Sequence, residues 1–331
     1  MSGAGMEDAA EFILLAGFLG SGKTTLLVDW LRLPEAADTA VIVNEAGQID
    51  VDGAVIATGG TLPMALLSNG CVCCSLTNDL VFTVEALLRQ RMETGKPPFR
   101  RIVLECSGLS RPGPILRSLG PLAPLGLRVR VVATCDAAQA AERAAHFEEF
   151  AAQLAAADTV VFTKLDQTSP EAAQALAASI NPLARAVVEP DRAARALAAF
   201  TAPPGRASSL PEGEAGAHPR VSVLLARFTP EASWEDRLDW LENLAAFAGE
   251  RLLRVKGFLH PPEQPGLAVL VQGVGTLFSP MVPMPRGERT PEALVVILRD
   301  LELEAVRQMM PEAPAWISRL SGNRLHCAGV G

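Results

Sequence analysis

The chain has 331 residues, 49% of them hydrophobic and 20% charged, with a net charge of −8. That length favours two domains over one core, and the composition excludes a disordered or fibrous protein. The acidic balance, without any Lys/Arg stripe, argues against a nucleic-acid surface, and no run reaches the eighteen or so apolar residues of a membrane span.

The amino terminus, MSGAGMEDAAEFILLAG, carries Glu7, Asp8 and Glu11 where a secretory signal would carry positive charge. Residues 1–10 are expected to be disordered and the protein cytoplasmic, where thiols stay reduced and clustered cysteines hold metal more often than they form disulfides. Only four of the 29 basic residues are Lys, namely Lys23, Lys96, Lys164 and Lys256. A chain that otherwise uses Arg keeps Lys where a compact ammonium is needed, and two of the four fall in motifs.

A first strand is predicted over Phe12 to Ala16. It runs into GFLGSGKT, residues 17–24, a full match to G-x-x-x-x-G-K-[ST] that opens the apolar helix TTLLVDWL. In that context the backbone NH groups of Gly20, Ser21, Gly22 and Lys23 would cradle a β-phosphate, Lys23 would neutralise β/γ oxygens, and Thr24 would ligate Mg²⁺. The bland alternative is a glycine turn between strand and helix.

A second strand, Thr39 to Val43, is followed by NGCVCCSL, residues 69–76, which puts Cys71, Cys73 and Cys74 within four positions. On an extended strand Cys71 and Cys73 share one face and Cys74 the other, so the three converge only if the chain bends, as Asn69-Gly70 allows. Three thiolates plus one further donor suit tetrahedral Zn²⁺, and soft ligands also suit Cu(I). Core filling and a redox pair are the alternatives, and spacing alone does not select the metal.

A helix is predicted over Thr77 to Gln90, with Leu80, Val81, Val84, Leu87 and Leu88 at helical spacing. The strand Arg101 to Glu105 ends in an acid that a doubly wound sheet would bring beside the phosphate loop, where it could hold Mg²⁺ or its water shell. Arg128 to Thr134 and Thr159 to Phe162 read as further strands, with an Ala-rich helix over Ala137 to Ala157 between them. Cys106 and Cys135 fall in strand-like runs and read as core. Directly after the last strand comes TKLD, residues 163–166, similar to the guanine-reading N-K-x-D. Asp166 would accept the paired donors of guanine, which adenine lacks, with the Lys164 stem packed on the base. Ser169-Pro170 opens another helix.

Alternating short apolar strands and helices predict an α/β fold: a P-loop NTPase domain over residues 11–200, built on a doubly wound, mostly parallel sheet. Residues 201–220, rich in Pro, Gly and Ser, read as a linker. A second, smaller α+β domain is predicted over residues 221–310. It holds the strand Val221 to Phe228, the amphipathic helix Trp234 to Gly249, and strands in RLLRVKGFL, GLAVLVQG and ALVVIL. Residues 311–331 read as a tail.

In this order, GFLGSGKTTLL, NEAGQIDVDG, NGCVCCSL, ECSGLSRP and TKLD resemble the CobW family of P-loop GTPases, which includes cobalamin-associated proteins and zinc metallochaperones. The resemblance runs from about residue 11 to about residue 305, its last third carried by RLLRVKGFL, VLVQGVG and LVVILRDLE. By position it makes Gly20 through Thr25 the phosphate site, Asp52 the acid of the first switch, Glu105 the Mg²⁺-side acid, and Lys164 with Asp166 the guanine site. It makes Cys71, Cys73 and Cys74 ligands of Zn²⁺ or Co²⁺, with Glu45 an oxygen donor. Ala46 replaces the family's aromatic in NEFG, Ser110-Arg111 stand in place of Ala-Asp, Thr163 replaces Asn, and no histidine-rich stretch is present.

The expected activity is slow hydrolysis of GTP, with Arg111 a candidate arginine finger, coupled to delivery of the metal to a client metalloprotein. A small-molecule P-loop kinase and a zinc-stabilised nucleotide-binding module without significant turnover are the alternatives. GTP against ATP binding separates the first, and steady phosphate release the second.

Overall fold

The structure is a computed structural model that describes residues 10–43, 64–66, 76–201, 218–287 and 290–320. The chain divides into two compact units, one holding each of its two sheets.

The first sheet has seven strands: β1 (Glu11–Gly17), β2 (Thr39–Val43), β3 (Met64–Leu66), β4 (Arg101–Glu105), β5 (Arg128–Asp136), β6 (Thr159–Thr163) and β7 (Arg185–Val187). Their order is β3-β2-β4-β1-β5-β6-β7, and every pairing is parallel. Parallel strands need crossovers, supplied here by helices that bury both faces. The consequence is visible in FILLA, AVIV and IVL, which are apolar without alternation and buried throughout.

The helices up to residue 201 are α1 (Lys23–Leu31), α2 (Leu76–Glu93), α3 (Pro112–Ser118), α4 (Ala140–His146), α5 (Glu148–Ala156), α6 (Glu171–Ile180) and α7 (Arg192–Thr201). Helix α1 packs on α7 through Trp30 stacked on Phe200, with ring centroids 5.0 Å apart. A two-pronged Arg192–Asp29 ion pair, both contacts 2.8 Å, closes the same seam. Strand β1 lies at the centre, with β4 on one side and β5 on the other, so its carboxyl end opens at the switch of connection direction where α/β sheets bind ligands.

The Ala-rich helix predicted over Ala137 to Ala157 is two helices. Phe147 breaks it in extended conformation, φ −127° and ψ 114°, because its ring packs on Phe18 at 4.7 Å between centroids rather than continuing a helical face.

The second sheet is antiparallel. Its strands are β8 (Val221–Phe228), β9 (Leu252–Leu259), β10 (Leu267–Val274), β11 (Leu277–Phe278), β12 (Val282–Pro285), β13 (Ala293–Arg299) and β14 (Ala315–Arg319). The order is β11-β10-β9-β13-β8-β14, with β12 also on β10. Helix α8 (Trp234–Ala248) starts with a capping box in which Ser233 and Asp236 satisfy each other's backbone amides. It covers one face through Trp240, Leu241 and Leu244, which share a core with Leu224, Val255 and Val296.

Helix α9 (Leu303–Met309) precedes β14. The tail expected from residue 311 therefore starts too early: β14 pairs with β8, because Ile317 has core to enter and the Arg307 guanidinium donates to its carbonyl at 2.8 Å. Among the described residues no helix is long and apolar enough to cross a membrane.

Candidate nucleotide site

The loop leaving β1 depends on glycine at defined points. Gly17 lies at φ 141°, Gly20 at φ 69° and Gly22 at φ 90°, conformations that residues with a β-carbon avoid. At Gly17 a β-carbon would also sit 2.1 Å from Thr134 Oγ1. Gly22 caps α1, so the free amides of the helix start face the open side of the loop, a ready anion site.

Side chains brace the loop from below. Ser21 Oγ donates to the Phe18 carbonyl at 2.7 Å and shares a 2.6 Å hydrogen bond with the Thr134 hydroxyl at the end of β5. Thr163, the last residue of β6, donates to the Ser21 carbonyl at 2.8 Å and to the Cys135 carbonyl at 3.3 Å. Lys23 is buried, and its ammonium donates to the carbonyls of Gly17 at 2.9 Å and Phe18 at 3.2 Å. Thr25 is exposed in the first turn of α1.

Thr24 and Glu105, the pair expected on the Mg²⁺ side, meet. Glu105 is buried at the carboxyl end of β4, in register with Leu15 of β1, and its Oε1 accepts from Thr24 Oγ1 at 2.6 Å. The next residue, Cys106, is a buried free thiol whose pKa burial drives far above the ordinary thiol range.

Beyond it Gly108 lies against the phosphate loop: a β-carbon there would meet the Leu19 amide nitrogen at 2.7 Å. Helix α5 holds this segment. Gln153, buried among alanines, donates through Nε2 to the carbonyls of Gly108 at 3.0 Å and Ser110 at 2.9 Å. Arg111 pairs with Glu148 and Glu149, so the residue singled out as a finger is engaged by two carboxylates.

On the other flank the TKLD segment turns sharply after β6. Lys164 adopts φ 56°, its ammonium lies 2.6 Å from Asp136 Oδ2, and Asp166 is exposed. Asp136 is buried at the end of β5. The Cys135 thiol beside it is pushed up to about 12 by burial first and by the neighbouring Asp136 charge second.

Gly20, Ser21, Gly22, Lys23, Thr24 and Glu105 thus gather at the end of β1, with Thr163 leading into Lys164 and Asp166. Glu45, Asp52, Cys71, Cys73 and Cys74 lie outside the described residues. Among the described residues no group of three or more His, Cys, Asp or Glu is arranged to hold a metal. Sequence reasoning missed Thr134, Asp136 and Gln153. Thr134 ends the predicted strand, a position that was itself a usable signal in a parallel sheet, and Asp136 ends the longer observed β5; an isolated Gln in EEFAAQLAA was another signal.

The CobW/HypB/UreG nucleotide-binding domain model matches residues 11–188, and the cobalamin synthesis protein cobW C-terminal domain model matches residues 222–313. The chain is 32% identical over 299 residues to the zinc chaperone YjiA of Escherichia coli, covering 86% of this chain and 92% of that one. It is 29% identical over 349 residues to the zinc chaperone CobW of Pseudomonas aeruginosa, covering 91% of each. Among solved structures, that of Zn(II)-bound YjiA GTPase from E. coli superimposes with a TM-score of 0.67 at 25% identity, covering 92% of this chain and 99% of that one.

Proposed function

This chain belongs to the CobW/HypB/UreG family and is a P-loop GTPase, and from that premise we propose that its hydrolysis of GTP governs the handling of a transition metal. Zinc or cobalt is held by Cys71, Cys73 and Cys74, with Glu45 as a further donor, and passed to a client metalloprotein. The observation that carries the nucleotide half is the Thr24–Glu105 contact of 2.6 Å beside the buried Lys23. The names of the relatives, zinc chaperones both, support the metal half.

The hard oxygens of Thr24 and Glu105 fit Mg²⁺, which takes one or two protein oxygens and completes its shell with phosphate and water. When bound, that ion offsets charge on the transferring phosphoryl group. The chain's own groups do the rest. Loop amides from Gly20 to Lys23 hold the β-phosphate, and the Lys23 ammonium, now donating to two loop carbonyls, turns its charge to the β/γ oxygens. Water then attacks the γ-phosphorus in line and GDP leaves, with Asp52 the acid of the first switch.

With Arg111 held by Glu148 and Glu149, positioning of this kind gives slow turnover. Asp166 and Lys164 select guanine. The test measures phosphate release from GTP and ATP, and metal content before and after nucleotide addition, on the reduced full-length protein. GTP-selective release that changes the amount of bound zinc or cobalt is expected. Equal use of ATP would overturn the guanine assignment, and protein that binds neither metal would overturn the chaperone assignment.

A further inference from the structure

Asp136 stands directly across the ladder from Thr163, so the ends of β5 and β6 adjoin where TKLD begins. Its two carboxylate oxygens have different partners. Oδ1 accepts from the Ala138 amide at 3.0 Å and fixes the turn leaving β5, while Oδ2 meets the Lys164 ammonium at 2.6 Å. The left-handed φ of 56° at Lys164 costs a residue with a β-carbon free energy, and it persists only where the surroundings enforce it. Here it goes with a lysine whose charge is taken up inside the sheet end instead of following the chain to Asp166.

A carboxylate that reads guanine must keep both oxygens open to the paired donors of the base, and a lysine two residues away is its nearest competitor. A second cation, Arg195, also feels the Asp166 charge. Its guanidinium is engaged as well, donating to the carbonyls of Glu189 at 2.7 Å and Pro190 at 2.8 Å.

We propose that Asp136 is a specificity-determining residue of the base site: by holding the Lys164 ammonium, it keeps that charge off Asp166 and leaves the Asp166 oxygens open to guanine. This rests on the reading of TKLD as the base site. Lys164 then serves the base with its aliphatic stem, its charge already matched. Adenine offers no such donor pair, so its affinity is indifferent to whether Asp166 is occupied.

The experiment compares GDP and ADP affinities by calorimetry for the full chain, Asp136→Asn, Lys164→Met and the double variant. Asn keeps an oxygen for the Ala138 amide and removes the charge. Asp136→Ser, which also keeps an acceptor, is carried alongside in case Asn impairs folding. The preference for GDP over ADP is expected to fall about tenfold or more in Asp136→Asn, the scale of a hydrogen bond to a charged group, through weaker GDP binding alone. Adding Lys164→Met removes the competing ammonium and should restore the preference of the Lys164→Met single variant. An unchanged preference, an equal loss of both nucleotides, or no rescue by Lys164→Met would overturn the role of Asp136. A native protein that binds GDP and ADP equally would instead sink the base-site reading, and this inference with it.

Discussion

Thr163 gives up the amide that the resembling sequences carry at its position, yet its hydroxyl still ties the end of β6 to the phosphate loop at Ser21. Thr163→Val keeps the shape and removes that bond, leaving buried carbonyls less well served. It should cost about 1 to 2 kcal/mol of stability and weaken GDP binding several-fold, checked by urea unfolding and nucleotide titration. The two buried cysteines make a separate prediction. With its pKa raised to about 12 by burial, Cys135 has essentially no thiolate at pH 8, and Cys106 is shifted in the same direction. Native protein treated with iodoacetamide should remain unmodified at both positions by mass spectrometry, and both should react in denaturant. Labelling of either in the native state would show that these strand ends open readily.

At the level of elements, the segment from Gly108 to Arg111 is held from one side by the phosphate loop and from the other by α5. Gly108→Ala would place its methyl 2.6 Å from Leu19 Cδ2 and 2.8 Å from Leu19 Cα. Backbone cannot yield as a side chain can, so the segment must shift. A misplacement of about 1 Å at a reacting centre costs on the order of 100-fold in rate. Turnover of GTP should drop accordingly while GDP, which has no γ-phosphate, binds nearly as before; a proportional loss of GDP affinity would mean a general collapse of the loop. The capping box of α8 allows a milder check: Ser233→Ala should lower stability by about 1 kcal/mol without touching nucleotide binding. These elements also show what was legible in advance. The phosphate loop, β1, β4 and Glu105 could be read because a local spacing rule defines them, and each strand was a short apolar run. Thr134 and Gln153 offered only a place at a strand end and an isolated amide, because the partners that give them a role lie 113 and 45 residues away and meet them only through strand order and helix packing. The break at Phe147 was hidden by an Ala-rich composition that favours helix on both sides. The two-residue β11, with its half-buried side chains, is too short for periodicity to register.

Across the whole molecule, the reading requires the thiol segment and the phosphate loop to act as one device. If nucleotide alters metal affinity, metal must alter nucleotide affinity by the same factor, typically about 5 to 150-fold. Titrating GTP into apo and metal-loaded protein should show that shift in the native chain and lose it in the Cys73→Ala, Cys74→Ala double variant, which still binds GTP. Equal affinities for the apo and loaded native protein would leave the cysteines a structural role. The position of β1 has a further consequence in time. Its neighbours are β4 and β5, which start at Arg101 and Arg128, so the strand that carries the phosphate loop has no partner in the sheet until the chain has been synthesised past residue 101. The cysteines precede both neighbours in the chain. At about 5 to 20 residues per second, the ribosome releases three thiols several seconds before the loop proposed to govern them has a sheet to hang on. If those thiols bind metal as proposed, a newborn chain meets the cell's metals ungoverned, and what it captures then is decided by availability rather than by nucleotide.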